Sequence, residues 1–402
     1  MNKMNKSNKA KLNTLFALGS VVLFAGQAMA AGDAGFVPMG PMKLVPVVNV
    51  SHEYNDNIFL AEKNKKSSQV TVISPTIALQ ADSATKSMEL SYGLTKSIYY
   101  GSRQDDALDH FLNFDVSADL SSRLQTSLGA SYDKGHDARG STFSGTAVTG
   151  AVTPDKYHET AVHGAVGYGL RGRIDLVGDY TNKRYDNNRF RTAARDFDTT
   201  GGGVSFSFPI MKKTKAVLEA RYSKFDYKVI SAAGNLNSKE QRYLAGLDWD
   251  ATAKTSGSLR VGYLRKRFAS ALNSGSSGLS WELGATWSPL SYSTVDLSTE
   301  STTNETDGFG SFIKTKSGNL SWNHAWNSKL SHTLSTGISQ DKYIGGIAAR
   351  TDHLIRAAAS LDYQLQRWLN VGASYDYTKR SSGVLNSSYK QNVIAIKLQA
   401  TL

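Results

Sequence analysis

Several groups of residues in this 402-residue chain have types and spacings that could do chemistry. Gly167-Tyr168-Gly169-Leu170-Arg171-Gly172 matches G-x-G-x-x-G, which grips a pyrophosphate when it opens a helix. His158 and His163 bracket Glu159 in a near match to a zinc-protease helix. Asp105, Asp106, Asp109 and His110 could activate a water between carboxylate and imidazole, as a rim protease or a lipid-modifying enzyme requires. The arginines form three sets. Arg184, Arg189, Arg191 and Arg195 crowd one stretch beside Lys183, and Arg265 and Arg267 flank Lys266. Arg221, Arg260 and Arg356 stand among Glu219, Asp248, Glu282, Asp296 and Asp362. A guanidinium suits carboxylate or phosphate, so these arginines are the candidate contacts of a charged pore or of an anionic ligand.

Local pattern discounts the first three groups. Ile174, Leu176, Gly178 and Tyr180 follow the glycines with the alternation of a strand, so the glycines read as a tight turn. The two histidines stand one residue too far apart for the zinc motif, and an odd spacing of five points them to opposite faces of a strand. The other histidines, at 52, 110, 136, 324, 332 and 353, are scattered. Neither a metal nor a cofactor is expected. Asp105 to His110 read as a solvated acidic loop, and no nucleophile-elbow serine motif is found, so the chain is not expected to be an enzyme. The basic residues form no continuous face with interleaved aromatics, which argues against a nucleic-acid partner.

The elements that must position the arginines are strands. Met88, Leu90, Tyr92 and Leu94 alternate with Glu89, Ser91, Gly93 and Thr95. Leu279, Trp281, Leu283, Ala285 and Trp287 alternate with Ser280, Glu282, Gly284 and Thr286, and Ile394, Ile396, Leu398 and Ala400 with Ala395, Lys397 and Gln399. Such a segment buries one apolar stripe and solvates the other. About eighteen segments follow this pattern (sixteen is the alternative count), each near the 9–11 residues or slightly more of a tilted membrane strand. Short connections such as Ser121-Ser122, Pro289-Leu290 and Arg367 alternate with long polar ones such as 135–156, 185–197 and 341–352. Outer-membrane barrels have short periplasmic turns and long extracellular loops. The expected fold is all-β: a transmembrane antiparallel β-barrel over 44–402, integral to the outer membrane and wide enough to keep an aqueous lumen.

The ends and the composition agree. Lys3, Lys6, Lys9 and Lys11 precede the apolar run 12–27 and the small residues of Ala28-Met29-Ala30, so residues 1–30 read as a signal peptide cut after Ala30. Removing those four lysines takes the formal charge from +12 to +8. Residues 31–43 read as a periplasmic lead. Cysteine is absent, proline is scarce at 7, glycine reaches 35, and mean hydropathy is −0.34. No segment after the leader is apolar enough to span a membrane as a helix. The arginine-rich loop has two readings, a guide for an acidic ligand or a contact with lipopolysaccharide phosphates.

Asn49 to Leu79 resembles the opening of a family of bacterial β-barrel porins often encoded in exopolysaccharide and capsule operons. The residues that carry the likeness are Tyr54, Asp56, Asn57, Ile58 and Phe59, then Ser74-Pro75 in the second strand. The remainder is similar in pattern and length only. The resemblance implies an outer-membrane conduit for a secreted polysaccharide, working beside a periplasmic polysaccharide-export protein. With the arginines, the expected cargo is an acidic exopolysaccharide or capsular polysaccharide. The alternatives are a general or sugar-uptake porin and, more remotely, the rim enzyme.

Overall fold

The structure, a computed structural model, describes residues 35–141, 153–230, 234–252, 254–306, 308–345 and 349–401. The expected signal peptide, residues 31–34 of the lead and Leu402 lie outside them. Val37–Met39 (β1) turns back onto the start of Met42–Asn55 (β2), so Met42 and Lys43 already belong to the barrel wall. Next come Ser68–Asp82 (β3), Lys86–Tyr99 (β4), Ala107–Asp119 (β5), Leu124–Asp137 (β6), Asp155–Gly169 (β7) and Arg173–Tyr185 (β8). Phe197–Met211 (β9), Thr214–Tyr227 (β10), Ser238–Thr252 (β11), Thr255–Phe268 (β12), Ser276–Leu290 (β13) and Ser293–Glu305 (β14) follow. Phe312–Ala325 (β15), Leu330–Ile344 (β16), Arg350–Gln366 (β17), Leu369–Ser382 (β18) and Tyr389–Thr401 (β19) complete the wall.

From β2 on, each strand pairs antiparallel with its sequence neighbour, and β19 returns to β2 with Ile394 opposite Tyr54. Eighteen strands therefore close into a barrel, so the sheet has no first or last strand left over. A ring of this size keeps an aqueous interior. The alternation expected from the sequence is the alternation of the wall. Between β12 and β13, Leu259 faces Leu283 and Val261 faces Trp281 on the outside, while Arg260 faces Glu282 on the inside. The outward stripe is apolar because a charge at the bilayer midplane costs about 2–4 kcal/mol.

The turn over Arg171 and Gly172 shows why the glycine motif stands where it does. Gly169 has φ +129°, and a Cβ there would lie 2.0 Å from the Gly172 carbonyl oxygen. At the other end, strands run further than the apolar pattern suggests. β16 continues to Ile344 and β17 starts at Arg350, where a loop was expected from Asp341 to Asp352. Beyond the lipid an apolar stripe is no longer needed, yet the hydrogen-bonded ladder still is. The sequence signal fades before the strand ends.

Candidate functional site

The same alternation sorts the charges. At the extracellular ends of several strands an acid and a base are neighbours in sequence, as in Asp133-Lys134, Asp155-Lys156, Lys239-Glu240 and Asp341-Lys342. In each pair the carboxylate falls on the inner face and the ammonium on the outer. Extended through the register, acidic side chains on the inner face outnumber basic ones by roughly two to one. The chain is basic, but its lumen is acidic.

One arc of the lumen, β10 to β13, is a matched network. Arg221 is paired with Glu219 and donates from Nη1 to Glu282 Oε1 at 2.9 Å. Arg242 donates from Nε to Ser280 Oγ at 2.7 Å, from Nη1 to Glu282, and from Nη2 to the Ser301 carbonyl oxygen at 2.9 Å. Arg260 reaches Asp248 at 2.8 Å and Glu219 at 3.8 Å. Each guanidinium thus faces at least one carboxylate, and the charge of the arc is largely spent within it.

The arc from β4 to β9 differs. Glu89, Asp115, Asp133, Glu159 and Asp179 face inward, and the cations among them are few. Lys183 lies 3.5 Å from Glu159, and His163 Nε2 lies 3.7 Å from Asp115. Register places Asp115, Gly129, His163 and Asp179 side by side across β5 to β8. Gly129 makes the approach possible, because a Cβ there would come within 2.3 Å of the imidazole. Arg173, nearer the periplasm, is tied to Asp175 at 2.6 Å.

The extracellular mouth is packed. The β13–β14 ladder stops at Glu282 opposite Glu300, although β13 continues against β12 and β14 against β15. Beyond that point the outward side of β14 packs on the inward side of β10 to β12. Thr303 donates to Glu240, Lys266 and Tyr227 both donate to Glu305, and Ser311 Oγ, after β14, donates to Asn273 Oδ1 at 2.7 Å. The wall overlaps itself there. Lys266 is 0 % exposed, with Nζ 3.7 Å from the Phe225 ring centroid, beside a cluster of Phe225, Tyr227 and Leu236. Elsewhere around the rim, Val70, Asp155, Ile313 and Asp352 are buried on the inner face. Lower down, the Asp115 side chain is 50 % exposed.

The loop arginines lie together, as their spacing suggests, but their charge is taken up. Arg189 pairs with Asp196 at 2.8 Å, a bond that holds its guanidinium above the ordinary arginine range, and Arg191 pairs with Asp155. Arg195 reaches Asp155 at 3.3 Å and Asp137 at 3.6 Å, with its guanidinium 4.0 Å from the Tyr185 ring centroid. Arg184 sits on the outer face of β8 and shares Asp198 with Lys228. Arg265 and Arg267 are also outward and exposed, while Lys266 between them is inward. Arg221, Arg260 and Arg356 face the lumen as expected, Arg356 opposite Gly337 and Thr378. The structure thus divides the candidate contacts among the lumen, a neutralised loop and the outer surface.

The acidic group at Asp105 to His110 does not converge. Asp105 is buried under Arg139, which donates from Nε to Oδ1 at 2.8 Å and lies 4.0 Å from the Phe59 ring centroid. Asp106 accepts from the Tyr99 amide, Asp109 meets His136 at 2.9 Å, and His110 bonds Tyr92 Oη on the outer face at 2.8 Å. His158 and His163 point to opposite faces, toward Asp186 and Asp115. Sequence reasoning passed over Arg242, Arg139 and Arg380. The Arg380 Nη2 donates to the Gly140 carbonyl oxygen at 3.4 Å and ties β18 to the loop after β6. Parity against the exposed Tyr243 would have put Arg242 inside.

A closed antiparallel barrel with an apolar outside, a charged inside and long loops at one end is an outer-membrane protein of porin type. The chain belongs to the family described as "Putative beta-barrel porin 2", whose profile matches residues 32–402. No curated protein matches it. Among solved structures, it is similar to OpdK with vanillate from Pseudomonas aeruginosa, at 12 % identity and TM-score 0.48, over 89 % of this chain and 99 % of that one. It is similar to OccK5 (OpdH) of the same organism at 10 % identity and TM-score 0.47, over 89 % and 98 %. To the FrpB iron transporter from Neisseria meningitidis the values are 9 % and 0.45; the match covers 84 % of this chain but only 62 % of that protein's length. Likeness at this level says nothing of a solute.

Proposed function

We propose that the barrel is a passive outer-membrane pore for small hydrophilic solutes, and that it favours cations over anions. The observation that carries this reading is the sorting of charge: inward acids outnumber inward bases about two to one, and the arginines of β10 to β12 are already matched to acids. A wall with a surplus of fixed carboxylates raises the local concentration of counter-cations and depletes anions. The packed mouth supports small solutes over bulky ones. Passive flow follows the gradient, so the geometry supports no preferred direction.

The test is a reversal potential in a planar bilayer under a potassium chloride gradient. The wild type should be cation-selective, and Asp115→Asn, Asp133→Asn and Asp179→Asn combined should remove most of that preference. Acidification to about pH 3, below the ordinary carboxylate range, should act in the same direction. An anion-selective wild type ends this proposal.

Export of a polysaccharide is the second reading. It draws on the likeness over 49–79 and on one stretch of wall: Asn319, Ser321, Asn323, Thr333 and Ser335 give β15 and the periplasmic half of β16 an uncharged, hydrogen-bonding inner face suited to hydroxyl-rich sugar. That face and the acidic arc favour a neutral glycan over the acidic one expected from the arginines. A periplasmic export protein would then be the partner. Deleting the gene and measuring surface polysaccharide tests it: undiminished polysaccharide rejects export and leaves the small-solute pore standing.

A further inference from the structure

The outer face carries a pattern that the pore does not use. On β6, β10 and β12, Tyr132, Tyr222 and Tyr263 lie on the outer surface, between 40 and 48 % exposed. Two residues further toward the rim, on the same face, stand Lys134, Lys224 and Arg265, with Arg267 one step beyond. On β8, β11 and β18 the spacing is four: Tyr180 to Arg184, Tyr243 to Lys239, and Tyr375 to Lys379. Neighbouring strands share the arrangement, for Tyr243 and Tyr263 are directly opposed.

The physics of each layer is distinct. Exposed tyrosines on a barrel mark the boundary of hydrocarbon, with the ring in lipid and the hydroxyl in water. A residue two or four places beyond stands about 7–14 Å higher along the strand, at the depth of the head groups. A long cationic side chain there keeps its stem on apolar surface and its charge in the polar layer. Carboxylates at this level are few, and they are already matched: Asp198 to Arg184 and Lys228, and Asp226 to Lys224 at 2.8 Å. The belt therefore keeps a surplus of positive charge facing the lipid.

We infer that this belt binds the phosphate groups of the phosphorylated glycolipid in the outer leaflet. Arginine and lysine beside phosphate form charge-assisted hydrogen bonds, and cations on several strands suit a head group with more than one phosphate. The inference is independent of what passes through the lumen, since every residue in it faces outward. It also gives Arg265 and Arg267 a role that the pore does not.

The full chain in detergent, titrated with bisphosphorylated lipid A and followed by native mass spectrometry, tests the belt. Lys134→Gln, Lys224→Gln, Arg265→Gln and Arg267→Gln combined should weaken binding by about a thousandfold, from the contribution of each surface cation on an anionic membrane. The same number of charges removed from the periplasmic turns, with Lys212→Gln, Lys213→Gln, Lys254→Gln and Lys329→Gln, should leave binding within about twofold of wild type, because those turns lie beyond the reach of screened charge. Dephosphorylated lipid A should bind all three proteins weakly. Heat-modifiable mobility and single-channel conductance, unchanged in the belt variant, report that it is folded. The inference is overturned if the folded belt variant binds lipid A as wild type does. It is equally overturned if the turn variant loses as much, or if lipid A binds without its phosphates.

Discussion

The inner faces of β10 to β13 and of β4 to β9 contain the same kinds of residue and use them differently. In the first arc, Arg221, Arg242 and Arg260 interleave with Glu219, Asp248 and Glu282, and the charges cancel at hydrogen-bonding distance. In the second, Glu89, Asp115, Asp133, Glu159 and Asp179 meet chiefly Lys183 and His163. A network in which every charge is matched holds parts of a wall together, and here it pins the place where β14 slides inside β13. A run of like charges does not hold a wall together but sets a field in the water it faces. The two arcs thus divide the barrel into a side that maintains its shape and a side that acts on solutes.

The largest effect should come from breaking the matched side. Arg242→Ala leaves Glu282 with one guanidinium fewer, strips Ser280 Oγ of its donor and leaves the Ser301 carbonyl with Ser280 Oγ alone. The Arg242 side chain is 7 % exposed and Glu282 30 %, so the loss should approach the ~3–5 kcal/mol of a broken buried pair. Asp179→Asn, on the acidic side, should change stability by under about 1 kcal/mol. Urea midpoints of the two variants folded in the same vesicles provide the measurement. Equal midpoints would mean that the division between the arcs is not one of stability.

Next in size is a test of the faces. Leu283→Arg puts a cation into lipid at the middle of β13 and should cost about 2–4 kcal/mol and impair assembly. Gly284→Arg, one residue on, points into the lumen, where a Cβ would meet nothing nearer than Ser258 Oγ at 3.9 Å. That variant should assemble and reduce cation preference. If both assemble equally well, the parity of β13 is misassigned, and with it the sorting of charge on both arcs.

Much of this was legible in the sequence because a barrel strand is read two residues at a time. Alternation alone sets Arg221 on the face opposite Leu218 and Tyr222 and Arg260 on the face opposite Val261, and the exposed members of those runs are the lipid-facing ones. What parity cannot reveal is who meets whom. Arg221 and Glu282 are 61 positions apart and come together only when the wall curves. The loop arginines show the same limit. Four guanidinia within a dozen residues look like a basic patch, yet two of them, Arg191 and Arg195, find their partners Asp137 and Asp155 on β6 and β7. Lys266 shows another, since the sequence groups it with Arg265 and Arg267 while the pleat puts it on the opposite face. The overlap of β14 on β10 to β12 left no signal, because it depends on a ladder that stops while both strands continue.

The smallest effect concerns the loop itself and sharpens the comparison from outside both arcs. Replacing Arg184, Arg189, Arg191 and Arg195 together by glutamine leaves Asp137, Asp155 and Asp196 without these cations and Asp198 with Lys228 alone. If the loop is held by these pairs, its closed form should loosen, and single-channel recordings should show more frequent transitions at unchanged mean conductance. Asp155, 0 % exposed, would then sit in the packed mouth without its guanidinia, an arrangement relieved only by admitting water or moving the loop. Cation preference should rise slightly, because three positive charges leave the mouth (Arg184 lies on the outer face) while the acidic arc below is untouched. Raising salt should mask that gain more readily than it masks the preference of the wild type, since the loop carboxylates would be solvated and screened. Had the arginines served as free guides for an anionic cargo, the same variant would instead conduct as quietly as wild type while losing anion entry. Quiet channels with reduced anion permeability would return the loop to the role that its sequence first suggested.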